Sequence, residues 1–269
     1  MSPNNPPPPR LSCRSAVKTG LPRRSQTKAG PRSVALLLLL LSISSPAATP
    51  QSLFQDATAA YQASDFSQAA ALFRNSASLR PASGTLENLG LAEWRSNQPG
   101  PAILAWEQSL WLDPFNRASH NNLRFARKVL QVESPDLTWY EVVSTWLPVN
   151  WWAWITGTSF WFTIAASLLP GIFRFPKAGW HQGLAALGLT VFLLSVPAHA
   201  GVRARARTGF ILQKDTSLRL TPTAEAQTLT RLSAGEPAKL LKTRGAYVLL
   251  RTPRAVGWVR ENEFGRICP

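Results

Sequence analysis

The side chains best suited to nucleophilic, acid–base or metal chemistry are few here, and they are kept apart. Three histidines, His120, His181 and His199, fall in three different parts of the 269-residue chain, and the two cysteines, Cys13 and Cys268, stand near its opposite ends. No Ser/His/Asp or Cys/His set can be assembled from them. Removal of the leader would leave Cys268 alone, which excludes an internal disulfide, and one thiol makes no metal site. No glycine-rich loop has the spacing to cradle phosphates. The sequence therefore points away from catalysis: no catalytic, cofactor-binding or metal-ligating residue is expected, and no cofactor.

Charge excludes a second class. The formal charge is +15, but residues 1–50 carry seven Lys/Arg and no acid, residues 51–148 carry seven basic and nine acidic side chains, and residues 216–269 carry nine basic and four acidic. The excess sits in a leader, around apolar segments and only mildly in the last part. Nucleic acid, which needs a concentrated basic surface, is not an expected partner.

Two uncharged stretches organise the chain: Val142–Phe173, and the run after Lys177 up to Arg203. Each is long enough for the roughly 20 apolar residues that a bilayer core requires. Helix is the economical structure there, because it pairs every backbone polar group internally. The expected spans are residues 150–172 and 183–200, a transmembrane hairpin over 150–200. Trp146, Trp151, Trp152 and Trp154 crowd its start and Trp180 its turn, so these five read as anchors at the membrane interface. Glu133, Asp136 and Glu141 precede the first span, and Arg174 and Lys177 lie in the turn; that asymmetry places the turn in the cytoplasm and both flanking parts outside. Arg203, Arg205 and Arg207, directly after the second span, pull the other way. With no ionisable residue in the first span and only His199 at the edge of the second, no proton or ion path is expected.

Residues 1–48 read as a signal peptide with a long disordered basic n-region and an apolar h-region from Val34. Residues 51–131 contain an internal repeat. Ala69 and Ala102, Phe73 and Trp106, and Pro81 and Pro114 are each 33 residues apart, and Asn88-Leu89-Gly90 returns 34 residues on as Asn122-Leu123-Arg124. Small residues allow close helix approach, large ones fill the gaps, and the prolines end the second helix. This resembles the tetratricopeptide repeat (TPR), an α-helical solenoid whose concave face commonly holds a peptide. Asn88 and Asn122 are the candidate groove residues. Two and a half repeats form a marginal stack, so a partner, a second copy or the membrane is expected to cover one end. Residues 132–149 read as a linker.

Residues 208–267 show short strand patterns at 210–212, 217–220, 228–232, 238–241, 247–250 and 257–259, separated by turn residues, which suits a small all-β barrel. Leu218-Arg-Leu-Thr-Pro222, Leu232-Ser-Ala-Gly-Glu236, Arg244-Gly-Ala-Tyr-Val248 and Val256-Gly-Trp-Val259 resemble the bacterial SH3-like (SH3b) domain. The resemblance implies an extracytoplasmic binder of wall peptides or proteins, with Tyr247 and Trp258 as its candidate surface. Ala246 stands where that family usually has Trp.

Leader, repeats, two spans and SH3b-like tail in this order resemble the BatE-type proteins of the bacterial aerotolerance (Bat) cluster. The resemblance implies a multidomain, non-enzymatic inner-membrane adaptor that presents its interaction modules outside the cytoplasm, in contact with the lipid bilayer and with other membrane proteins such as von Willebrand A-domain Bat proteins. The alternative is a wall-binding or wall-sensing protein that contacts peptidoglycan peptides through the SH3b part. SH3b tails also accompany wall hydrolases, but the repeats and linker occupy residues 51–148 and leave no room for a catalytic domain.

Overall fold

The computed structural model describes residues 49–173 and 179–268. The leader and the basic turn with Arg174 and Lys177 lie outside the described residues.

Five helices come first: α1 Pro50–Gln62, α2 Phe66–Leu79, α3 Ser83–Arg95, α4 Pro99–Leu112 and α5 Arg117–Leu130. Their starts are encoded locally. Pro50 takes the first turn of α1, where its missing N–H costs nothing, while Asp65 and Asn116 accept from the backbone N–H groups of Gln68 and Ser119, each at 3.0 Å. Each helix packs on the next in the chain.

The repeat recurs in the backbone. Helices α1, α3 and α5 begin at residues 50, 83 and 117, steps of 33 and 34. The left-handed residues Ser64, Asn97 and Gln131 close successive turns at the same steps of 33 and 34. The ion pairs follow them too. Arg74 on α2 pairs with Glu93 on α3, and Glu107 on α4 pairs with Arg127 on α5, so the equivalent positions carry the same bond with the charges exchanged.

A short helix, α6 (Trp139–Val143), lies inside the segment read as a linker. It leads to α7 (Val149–Ile172) and α8 (Trp180–Arg205), of 24 and 26 residues. At 1.5 Å per residue these measure about 36 and 39 Å, more than a bilayer core of about 30 Å. Both are long and apolar enough to cross a membrane. They pack along each other, with the Thr156 hydroxyl donating to Ser195 Oγ at 2.9 Å and the Phe160 and Phe192 rings 5.6 Å apart. Elsewhere they turn large apolar side chains outward, among them Trp161, Ile172 and Leu194.

The last part is one antiparallel sheet of seven strands: β1 Thr208–Ile211, β2 Thr216–Arg219, β3 Thr228–Leu232, β4 Pro237–Arg244, β5 Tyr247–Arg251, β6 Val256–Arg260 and β7 Phe264–Arg266, in the order β3-β2-β6-β5-β4-β1-β7. Strand β7, absent from the sequence pattern, pairs with β1 through Ile211 and Phe264. Every strand contributes to one buried cluster that includes Ile211, Leu218, Leu232, Val248, Leu250, Val259 and Phe264, so the sheet wraps around a single core.

Helices and sheet are not separate beads. Helix α4 carries apolar side chains on more than one face, with Glu107, Gln108 and Ser109 between them, and is buried on both sides. One side meets α3 and α5. The other meets the sheet: a second core cluster joins Ala102, Ile103, Trp106, Leu110, Trp111, Leu123 and Ala126 to Phe210 and Ile267. Contact is at backbone distance, since a Cβ on Gly100 would lie 2.2 Å from Leu212 O, and one on Gly235 (φ +80°) would lie 2.4 Å from Ile103 Cδ1. The chain's own sheet thus covers one side of α4, within the stack and not at its end. Cys13 lies outside the described residues.

Candidate functional site

Helices, apolar pair and sheet meet at a polar junction. Helix α6 sits against α8 at Gly201, where an added Cβ would fall 2.1 Å from Tyr140 O. The buried carboxylate of Glu141 accepts from Thr138 N at 2.7 Å, from Thr138 Oγ1 at 2.9 Å and from Lys239 Nζ on β4 at 2.9 Å. One ion pair therefore joins residues 98 apart and ties α6 to the sheet. Burial pushes the Glu141 carboxyl up, but the Thr138 N–H, the Lys239 ammonium and the Thr138 hydroxyl outweigh it and hold the group below its usual 4.5.

Arg205 ends α8 and is only 7 % exposed. Its guanidinium lies over the Trp111 ring of α4 at 5.2 Å, and its Nη1 donates to Ser144 Oγ at 3.4 Å. Beside it a cleft of about 350 Å³ is lined by Glu107, His120, Arg127, Thr145, Arg205 and Thr208, among others. Among the described residues, Arg127 Nε and Thr208 Oγ1 are buried without a hydrogen-bond partner. The cleft offers donors and net positive charge, which suits an anion. It offers no activated nucleophile, and no group of three His, Cys, Asp or Glu able to hold a metal ion occurs among the described residues.

The residues singled out from the sequence are distributed as follows. Asn88 on α3 and Asn122 on α5 are half-buried at equivalent repeat positions, and neither side-chain amide has a hydrogen-bond partner among the described residues. Tyr247 and Trp258 are half-buried on the sheet face opposite the core, because Val248, Leu250 and Val259 take the inward positions. Trp258 stands opposite Leu249 on β5 and Arg219 on β2. Trp146, Trp151, Trp154 and Trp180 are all exposed, Trp154 by 74 %. Trp152 departs from this set. It is 8 % exposed, and its indole N–H donates to Ser144 O at 3.3 Å, so it braces α7 against the turn after α6 instead of facing outward.

Sequence reasoning missed Glu141, Lys239 and Arg205. A signal existed for the last. Arg203, Arg205 and Arg207 alternate around the helix end, and Arg205 alone continues the face of Gly201 and Ala198, four and seven residues before it.

The Glu141 contact predicts a pH dependence. A carboxyl whose folded value is depressed stabilises the fold fully above its ordinary 4.5, and that contribution is lost as pH falls through the folded value. Glu93 works oppositely: burial raises its carboxyl despite Arg74, so its contribution weakens as pH rises above 4.5. Thermal melts of the native chain and of Glu141→Gln should therefore differ most at neutral pH and converge below 4.5, with Glu93 common to both. A constant difference across that window would refute the assignment.

Compared with protein-family models, with curated proteins and with solved structures, the chain matches none.

Proposed function

We propose that this chain is a non-enzymatic membrane adaptor of the BatE type, with α7 and α8 spanning the bacterial inner membrane and with TPR-like helices and an SH3b-like sheet presented together outside the cytoplasm. The observation that carries the reading is the docking of α4 on the sheet at the one end of the apolar pair where α7 begins and α8 ends. Both interaction modules then form one platform on a single side of the bilayer. The outward Trp146, Trp151, Trp154 and Trp180 support the membrane interface. The burial of Arg205 supports the orientation: a guanidinium enclosed in protein counts little toward the charge balance of exposed loops, so the basic run after α8 weighs less against it than its composition implies.

The helical face with Asn88 and Asn122 is the proposed partner surface, and von Willebrand A-domain Bat proteins are the proposed partners. Crosslinking in membranes followed by mass spectrometry tests this. Recovery of such a partner should fall at least fivefold for Asn88→Arg with Asn122→Arg, by the scale of hot-spot losses. Equal recovery ends the adaptor reading. Point changes are used because removing helices would disturb the core they share with the sheet. The alternative, contact with wall peptides, draws support from the outer-face position of Tyr247 and Trp258. Co-sedimentation of the full chain with purified peptidoglycan, abolished by Trp258→Ala, would favour it.

A further inference from the structure

The fold sorts the charges of the sheet part onto one face. Residues 216–269 carry nine basic and four acidic side chains, a mild excess by composition. The acids are set aside. Glu225 lies in the loop between β2 and β3, Glu261 and Glu263 lie in the turn after β6, and Glu236 is buried, accepting from Ser233 N at 3.0 Å. Strands β2 to β6 contain no acidic residue. Alternate residues of a strand share a face. With Val248, Leu250 and Val259 turned to the core, Tyr247, Leu249, Trp258 and Arg260 face outward, and cross-strand pairing sets Arg219, Lys242 and Arg244 beside them.

The register lays these side chains out in two rows. One runs Arg219, Trp258, Leu249, Lys242 across β2, β6, β5 and β4; the next runs Arg260, Tyr247, Arg244 across β6, β5 and β4. At about 4.8 Å between strands, the cations that end each row stand roughly 10–14 Å apart. An apolar strip thus runs along the middle, with Arg219 and Arg260 on one border and Lys242 and Arg244 on the other. None of the four pairs with a carboxylate among the described residues. Arg219 is held in place, donating to Thr223 O and Ala224 O, while Lys242, Arg244 and Arg260 are exposed. Arg251, in the row that Lys239 ties to α6, shares a pocket with Asp136 and stands outside the strip.

We propose that this face docks an extended acidic segment of a partner protein, its backbone and apolar side chains over the Trp258–Leu249–Tyr247 strip and its carboxylates on the flanking cations. The charges are complementary, and guanidinium groups bind carboxylates in a short, directed geometry. Trp, Tyr and Arg, the residues that dominate binding hot spots, make up most of the face. A bilayer surface would attract the same cations, but Tyr247 and Trp258 are half-buried in the sheet, whereas Trp146, Trp151, Trp154 and Trp180 are 60–74 % exposed. A flush aromatic floor suits a peptide laid across it, not insertion among acyl chains. The inference depends neither on the reading of α7 and α8 as spans nor on the Asn88 face.

The test is fluorescence anisotropy of labelled synthetic peptides titrated with the full chain in nonionic detergent at low salt. A peptide of Glu-Tyr repeats should bind, and the same peptide with Gln for Glu should bind at least about tenfold more weakly, as expected for one charge-assisted contact. High salt should weaken the first, since exposed charges are screened. Lys242→Gln with Arg244→Gln, both exposed at the β4–β5 hairpin, should lower affinity about tenfold. Arg80→Gln with Arg117→Gln removes the same charge from exposed positions on the helical part and should leave affinity unchanged. Equal affinity for the Glu and Gln peptides overturns the proposal. So do equal losses in the two double variants, which would mean that net charge alone attracts the probe. Displacement of the bound peptide by phosphatidylglycerol nanodiscs, with phosphatidylcholine nanodiscs inert, would assign the face to a bilayer surface and overturns it too.

Discussion

Replacing Trp106 by alanine should cost about 3–5 kcal/mol of stability, and the loss should appear in the helices and the sheet together. Trp106 is 2 % exposed, sits 6.0 Å from Trp94 by ring centroids, and donates its indole N–H to Glu87 O at 3.2 Å. Its ring lies on Gly90 so closely that an added Cβ would fall 2.4 Å from Nε1. Nothing nearby can collapse into the space: the flanking backbone belongs to two helices braced by the Glu107–Arg127 pair and by the Ser109 hydroxyl, 2.9 Å from both Ser83 and Ser119. The same cluster contains Phe210 and Ile267 of the sheet part. A denaturant titration of the full chain in detergent, followed by far-ultraviolet circular dichroism, should therefore show one shifted transition. Two transitions, with the sheet unmoved, would mean that the clusters are energetically separate. The complementary change Gly90→Ala over-fills the same contact and should cost about 1–3 kcal/mol.

How much of this was legible in the sequence depended on the range of the contacts. The repeats were visible because their packing is local. Ala69 and Ala102, or Phe73 and Trp106, are buried at matched positions, and a pattern that returns every 33 residues leaves its mark in composition. The left-handed turns at Ser64, Asn97 and Gln131 have the same period, but three different residue types hide it. Strands β3 and β5 were visible from turn residues and alternation, whereas β7 has three residues and forms only because β1, more than fifty residues earlier, offers it an edge. The two long apolar helices were legible from missing charge, although α8 runs on to Arg205, its last turns packed against the helices and the sheet. Apart from the position of Arg205 on its helix, the junction was not legible. Glu141 with Lys239, Arg205 with Ser144, and Gln108 with Arg266 are 98, 61 and 158 residues apart. Each of those residues is an ordinary surface type, and only the fold tells which of them will be enclosed. The tryptophans carry the same lesson: Trp151, Trp152 and Trp154 look alike in sequence, yet the helical turn points Trp152 inward.

Gly100→Val should separate the helical stack from the sheet without unfolding either. In the first turn of α4 a valine is tolerated by the helix, and the intrinsic change from glycine is favourable by a few tenths of a kcal/mol. The obstacle lies opposite. A Cβ at this position would stand 2.2 Å from Leu212 O and 2.7 Å from Ile211 O, both rigid backbone atoms, and valine adds two methyl groups beyond it. The sheet must withdraw, and with it go the Gln108 to Arg266 O hydrogen bond of 3.0 Å and the burial of Phe210 and Ile267 against α4. At about 1.5–3 kcal/mol for each apolar side chain returned to water, the docking should weaken by some hundredfold or more. Amide hydrogen exchange in the full chain reads this directly. Protection in β1 and β7 should drop by about two orders of magnitude while that of α1 and α2 holds, since local opening reports local free energy. Gly84→Ala, where no atom lies within 4 Å of the new Cβ, is the control and should change nothing in the sheet. If β1 keeps its protection in Gly100→Val, α4 and the sheet do not depend on each other, and the single platform dissolves into two modules on a common pair of helices.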